Sequence, residues 1–233
     1  MSGELSPIRG ILFDKDGTLI DFQATWVPLN WQAADLAADG DAALRARLLE
    51  IGGHDPATNR VSGGSLLAQA DTREVAETWT AAGAPFDAAD LATRMDQIFQ
   101  TGMRKAIAVT DVAALFGRLW ARGLHIGIAT SDSEAAIWAT LASFGVTTGP
   151  IHGFGYDSGH GSKPDPGMVY AFAQAAGLKP AEVVMVGDNP HDIYMGQTAG
   201  CALTVGVETG TGGPELADLA DHVIADVGGL EEL

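Results

Sequence analysis

After residue 106, short apolar runs alternate with helical segments, and this alternation restricts the possible folds more than any other feature. "LHIGIAT" (124–130), "EVVMVGD" (182–188) and "CALTVGV" (201–207) are rich in strand-forming residues, as is the earlier Ile11–Leu12–Phe13. Between and after them, "DVAALFGRLWARG", "SEAAIWATLASFG", "PGMVYAFAQAAG" and "DIYMGQTAG" carry helical patterning. Weaker runs at Ile151–Phe154 and His222–Ala225 suit short outer strands. Strands separated by helices cannot pair as hairpins, so the pattern predicts βαβ units. The expected fold class is α/β, a doubly wound parallel sheet with helices on both faces. Ligands in such sheets sit beyond the carboxyl ends of the strands. Asp14, Thr130 and Asp188 all fall there.

Residues 22–106 read differently. They are rich in Ala, Asp and Arg at helical spacing, without a clear strand, and Gly83–Ala84–Pro85 divides the second half into two helices. A long Gly-rich loop, "GGHDPATNRVSGGSL", lies between the halves. The expected organisation is a core of residues 1–21 and 107–233, with a helical insert of residues 22–106 whose return linker runs near Lys105–Thr110.

Thirteen basic and 30 acidic residues give a net charge of −17. Such a field repels nucleic acid and anionic membrane, so neither is expected as a partner. It also repels small anions, so an anion site has to be built locally from amides, a metal ion or a placed lysine. The single cysteine, Cys201, excludes an internal disulfide and suits a reducing compartment. "MSGELSPIRG" lacks a signal pattern and no apolar run is long enough to span a bilayer, so a cytoplasmic location is expected. Oligomeric state is not encoded legibly.

Four segments carry chemistry. "FDKDGT" sets Asp14 and Asp16 two residues apart at a strand end, where they repel unless a cation offsets them. "IATSDS" supplies the hydroxyls of Thr130 and Ser131 ahead of a helix beginning near Ser133, whose free amides suit an anion. "HGSKPDP" places Lys163 in a turn fixed by Pro164 and Pro166, and "MVGDNPHDI" holds Asp188 with Asp192 four residues later. Carboxylates gathered on one sheet edge call for a hard cation, and oxygen-only ligands suit Mg²⁺.

Asp14-Lys15-Asp16-Gly17-Thr18, Thr130, Lys163-Pro164 and Gly187-Asp188 with Asp192 resemble, in that order, the four motifs of the haloacid dehalogenase superfamily. "MGQTAGC" and "ETG" (208–210) are similar to its phosphoglycolate phosphatase branch. The resemblance covers nearly the whole chain and implies a Rossmann-like core with an inserted helical cap. It implies that Asp14 attacks phosphorus to form an aspartyl-phosphate, while Asp16 protonates the leaving oxygen and then activates water. It implies Mg²⁺ held by Asp14, the Asp16 main-chain carbonyl and Asp188, with Asp192 further out. Thr130, the amide of Ser131 and Lys163 would bind phosphoryl oxygens.

The implied activity is Mg²⁺-dependent hydrolysis of a small phosphorylated metabolite, 2-phosphoglycolate being the branch's substrate. A phosphomutase carries the same motifs, and a non-catalytic phosphate- or metal-binding module is the non-enzymatic alternative. The dehalogenase branch lacks an acid at the place of Asp16. The ATPase pumps carry Thr there and need membrane helices.

Singly, each motif has a plain structural reading. Asp-Gly-Thr is an ordinary turn, and Thr130 and Asp192 suit helix starts. Asp132 and Asn189 read equally as supports for the site or as caps. Lys15 is expected to point away from the nucleophile, with no catalytic task. Arg60, with His54, Ser62 and Ser65, lies in the Gly-rich loop and could bind the far end of a substrate or be solvated. His152 and His191 read as exposed turn residues, Trp26 and Trp31 as packing the insert against its hinge, and Cys201 as buried and inert.

Overall fold

The computed structural model of the protein describes residues 8–232; the reading of the first seven residues lies outside them. The described chain forms two compact units, one of residues 8–21 and 108–232 and the other Phe22–Ile107.

The first unit is a six-stranded sheet. Its elements are β1 (Gly10–Phe13), α1 (Val112–Ala121), β2 (His125–Ala129), α2 (Glu134–Ser143), β3 (Ile151–Phe154), α3 (Gly167–Ala176), β4 (Val183–Gly187), α4 (Pro190–Ala199), β5 (Leu203–Val207) and β6 (His222–Ile224). Strand order is β3-β2-β1-β4-β5-β6, and every pairing is parallel. The two weak sequence runs are the two edges, where one neighbour suffices and shorter, less apolar strands survive.

Period-two alternation divides each central strand between two cores. Ile11, Phe13, Val184 and Val186 face α1 and α2, where Phe116 stacks on Phe13 at 5.5 Å. Leu12, Val183 and Met185 face α3 and α4 through Phe172, Met168 and Met195. Each such buried side chain contributes roughly 2 kcal/mol by leaving water. The helices begin where the sequence supplies caps. Asp111 accepts from the Ala114 amide and Ser133 from that of Ala136. Among the described residues no helix is long and apolar enough to cross a membrane.

The second unit is built from helices Phe22–Ala38, Ala42–Ile51, Thr72–Ala81 and Ala88–Gly102 around Trp79, Leu91 and Met95. Trp26 packs edge-on against Phe99, and Trp31 against His54. Ile107 ends the unit, its amide donating to Thr25 Oγ1 at 2.9 Å.

The Gly-rich segment, expected to be a loop without a strand, contains two short ones. His54–Asp55 and Arg60–Val61 pair antiparallel as a short hairpin. Asn59 takes the left-handed conformation (φ 53°) that Asn tolerates, and His54 Nε2 meets its Oδ1 at 2.9 Å. Gln23 bonds both the amide and the carbonyl of Val61 at 2.9 Å. His54 is therefore buried as a pin of the hairpin, while Arg60 is exposed on it.

Candidate active site

Asp14 leaves the carboxyl end of β1 with its amide still bonded to the Val186 carbonyl at 2.8 Å. The sheet ladder thus fixes its backbone before the side chain turns into the site. The chain then reverses through Gly17, whose positive φ of 90° favours glycine. A Cβ at Gly17 would also lie 2.6 Å from the Asp188 carboxylate. Glycine is required there on both counts.

Asp14, Asp188 and Asp192 are buried, and each offers an oxygen within 4.8 Å of the others. Lys163, after which the peptide bond to Pro164 is cis, brings its ammonium among them. Nζ donates to Asp14 Oδ1 and lies 2.6 Å from Asp192 Oδ1. Asp192 Oδ2 accepts from the Asn189 amide at 3.1 Å, closing a box at the start of α4, while Asn189 Oδ1 accepts from His191. Asp192 therefore caps the helix through Oδ2 while Oδ1 faces the Lys163 ammonium. Asn189 is a cap.

The electrostatics follow from enclosure. Burial, opposed by Lys163 and assisted by Asp192 and Asp16, pushes the Asp14 carboxyl up to about 7. Burial and the charges of Asp14 and Asp192 hold Asp188 well above the usual carboxylate range. Burial alone would lower the Lys163 ammonium, but Asp14 and Asp192 outweigh it and raise it. Three carboxylates against one lysine leave excess negative charge away from water, which a divalent cation would neutralise. Asp14 Oδ2 is a buried oxygen without a hydrogen-bond donor, a vacancy in protein bonding that suits a metal ligand. The donor set, all carboxylate, fits a hard cation.

At the neighbouring strand end, Thr130 is buried, its amide bonded to the Phe154 carbonyl at 2.9 Å and its Oγ1 accepting from the Asp132 amide at 3.1 Å. Ser131 is exposed beside it. Asp132 Oδ1 accepts from the Ser133 amide at 2.7 Å. The structure thus gathers Asp14, Asp188, Asp192 and Lys163 directly, with Asp16, Thr130 and Ser131 on adjoining loops of the same unit. Arg60 belongs to the helical unit.

Three features escaped the sequence reading. For Lys15, expected only to point away from the nucleophile, the partners were not foreseen. It is buried, with Nζ 2.5 Å from Asp16 Oδ2 and 3.4 Å from Asp132 Oδ2. Burial would lower its pKa, but Asp16 and Asp132 prevail and raise it. The loop 208–213 wraps the site. Thr211 donates its amide to Asp188 Oδ2 at 2.7 Å, and Thr209 Oγ1 donates to the Gly17 carbonyl at 2.6 Å. The signal for that loop was the alternation of Gly210 and Gly212, at each of which a Cβ would overlap Asp188. Finally, His152 lies on β3 against Phe172 and His191 on α4, so neither is a turn residue. Cys201 is half-buried, its thiol pushed up to about 12 by burial, in keeping with an inert role.

A family model described as haloacid dehalogenase-like hydrolase matches residues 8–200. Phosphoglycolate phosphatase of Escherichia coli K12 is 26% identical over 228 residues, covering 91% of this chain and 86% of the relative. That of Salmonella typhimurium LT2 is 28% identical over 225 residues, covering 89% and 85%. Among solved structures, a hydrolase of this superfamily from Deinococcus radiodurans, with bound phosphate and sodium, superposes with a TM-score of 0.67. It shares 21% identity, covering 96% of this chain and 93% of that one. A candidate β-phosphoglucomutase from Thermotoga maritima gives 0.70 at 15% identity, covering 97% and 100%. At those identities the structural likeness establishes the fold.

Proposed function

Because the chain belongs to the haloacid dehalogenase-like hydrolases, we propose that it is a Mg²⁺-dependent phosphatase of a small phosphate monoester, working through an aspartyl-phosphate on Asp14. The observation that carries the reading is the joining of Lys163 to Asp14 within a buried group of three carboxylates. A solvated turn would not enclose so many charges, whereas a phosphoryl-transfer site requires a nucleophile beside fixed positive charge.

Asp14 Oδ1 is held by Lys163, which orients the carboxylate and leaves Oδ2 directed away from that bond. Attack on phosphorus joins an Asp14 oxygen to the phosphoryl group while the ester oxygen departs. Asp16 gives its proton to that oxygen and then removes one from the water that cleaves the acyl-phosphate. Lys163 and the loop of Thr130 and Ser131 hold the phosphoryl oxygens. Asp14 and Asp188, with the Asp16 main-chain carbonyl, would hold Mg²⁺, and Asp192, with Oδ2 bonded to the Asn189 amide and Oδ1 2.6 Å from the Lys163 ammonium, would stand further out. When bound, the ion neutralises charge between the carboxylates and the phosphate.

The substrate class is a phosphorylated metabolite, and 2-phosphoglycolate is the first to test, by similarity to the enterobacterial phosphatases. The test is phosphate release from a panel of small esters with Mg²⁺. Release from 2-phosphoglycolate well above the rest supports the finer reading. Absence of release from every ester overturns the phosphatase. Product isomerisation that depends on a bisphosphate activator would identify a phosphomutase instead.

A further inference from the structure

Lys15 stands between the two aspartates of the first motif, and its burial is costly. Moving an ammonium out of water costs several kcal/mol unless close acceptors compensate, and an apolar side chain would fill the same space more cheaply. The carboxylates that compensate it are Asp16, with Oδ2 at 2.5 Å, and Asp132, with Oδ2 at 3.4 Å. The backbone of Lys15 is fixed as well, its carbonyl accepting from the amides of Leu19 at 2.9 Å and Ile20 at 3.1 Å. Asp132 is bound in turn to the Ser133 amide at 2.7 Å, and its own amide donates to Thr130 Oγ1 at 3.1 Å. One cation therefore ties the carboxylate of Asp16 to the loop that follows β2.

We propose that Lys15 is a positioning residue for the leaving-group step, fixing the orientation of the Asp16 carboxyl. The inference rests on the phosphatase reading above. An ammonium offers positive charge and donors only, so what Lys15 can fix is the orientation of the Asp16 carboxyl. As the ester P–O bond breaks, Asp16 gives a proton to the departing oxygen. It recovers one from the water that attacks the aspartyl-phosphate, so Asp16 ends the cycle unchanged. Lys15 keeps its own protons throughout. A misoriented acid loses most where the leaving group most needs its proton.

The test compares kcat/KM for phenyl phosphate and p-nitrophenyl phosphate, with Mg²⁺, in the full chain. The two esters have similar shapes, but nitrophenolate leaves readily without a proton and phenolate does not. kcat/KM reports the steps up to departure of the alcohol and excludes hydrolysis of the intermediate. Lys15→Met, which keeps the apolar stem, should lose on the order of 10-fold more on phenyl phosphate than on the nitro ester. Lys15→Arg should recover part of that difference. Equal losses on both esters, or no loss, overturn the proposal and leave Lys15 a structural ion pair. Should Lys15→Met fail to fold, Lys15→Arg and Asp132→Asn decide by the same comparison: a split of the same sign supports the proposal and its absence overturns it. A wild-type chain inactive on every ester overturns the phosphatase reading itself and takes this inference with it.

Discussion

The ammonium of Lys163 lies 2.6 Å from Asp192 Oδ1 while donating to Asp14 Oδ1, so one cation is shared by a residue at the end of β1 and one in the first turn of α4. Both carboxylates are buried. Without that cation, Asp14, Asp188 and Asp192 would face one another with their repulsion uncompensated.

Lys163→Met should therefore lower kcat by about 100-fold to 1000-fold, the scale of losing one fixed donor to transition-state charge. Lys163→Arg should recover little, because a planar guanidinium cannot reproduce a point charge placed between two carboxylates. Steady-state rates on p-nitrophenyl phosphate check both. Unchanged turnover in either variant would remove Lys163 from the phosphoryl site.

Asp14→Asn should abolish turnover while the fold is retained. The amide matches the carboxylate in shape and still accepts from Lys163, but it is too weak a nucleophile to attack phosphorus. Phosphate release and a far-ultraviolet circular dichroism spectrum are the two measurements, on protein checked by mass for deamidation. Turnover like that of the wild type would exclude Asp14 as the nucleophile.

Metal and pH should act together on stability. Asp14 titrates from 3.8 when unfolded to about 7 in the folded protein, and Asp188 shifts in the same direction. The folded state thus binds protons more tightly, so metal-free stability is greatest below pH 3.8 as far as these groups decide it. It declines as pH rises through about 7. A divalent cation replaces the protons that the carboxylates would otherwise retain, and it competes poorly when they are bound. Mg²⁺ should then raise the melting temperature more at about pH 8 than at about pH 5. An equal rise at both, followed by scanning fluorimetry, would separate the binding site from these carboxylates.

The parallel sheet was legible because its strands are buried on both faces and leave continuous apolar runs, as "EVVMVGD" does for β4. Asp14 and Asp188 were legible as candidates because each follows such a run, and the structure brings them together. The 54–61 hairpin was not. Its strands are two residues long, and its register is set by His54 with Asn59 and Gln23 with Val61, side-chain pairs that leave no periodic trace. Lys15 was hidden for a related reason. A lysine reads as solvated unless its acceptors are known, and Asp132 becomes its neighbour only once β1 and β2 pair.

The loop 208–213 supplies the sharpest contrast between neighbouring positions. Asp188 Oδ2 accepts from the Thr211 amide at 2.7 Å, whereas the Thr211 hydroxyl is distant at 3.4 Å. The backbone therefore does the holding, and the side chain contributes little. Thr211→Val keeps the amide and the shape, so it should alter activity less than about 3-fold, as expected for losing one weak hydrogen bond. Gly210→Ala keeps the amide of Thr211 too, but its Cβ would overlap the Asp188 carboxylate and displace either the loop or the ligand. Loss of an outer partner's support typically costs about 10-fold to 100-fold in metal affinity. The Mg²⁺ concentration for half-maximal activity should rise by that factor in Gly210→Ala, with kcat at saturating Mg²⁺ reduced less. Titration of activity against Mg²⁺ in the two variants decides it. A reversed order, with Thr211→Val the more damaged, would mean that the hydroxyl and not the backbone orients Asp188.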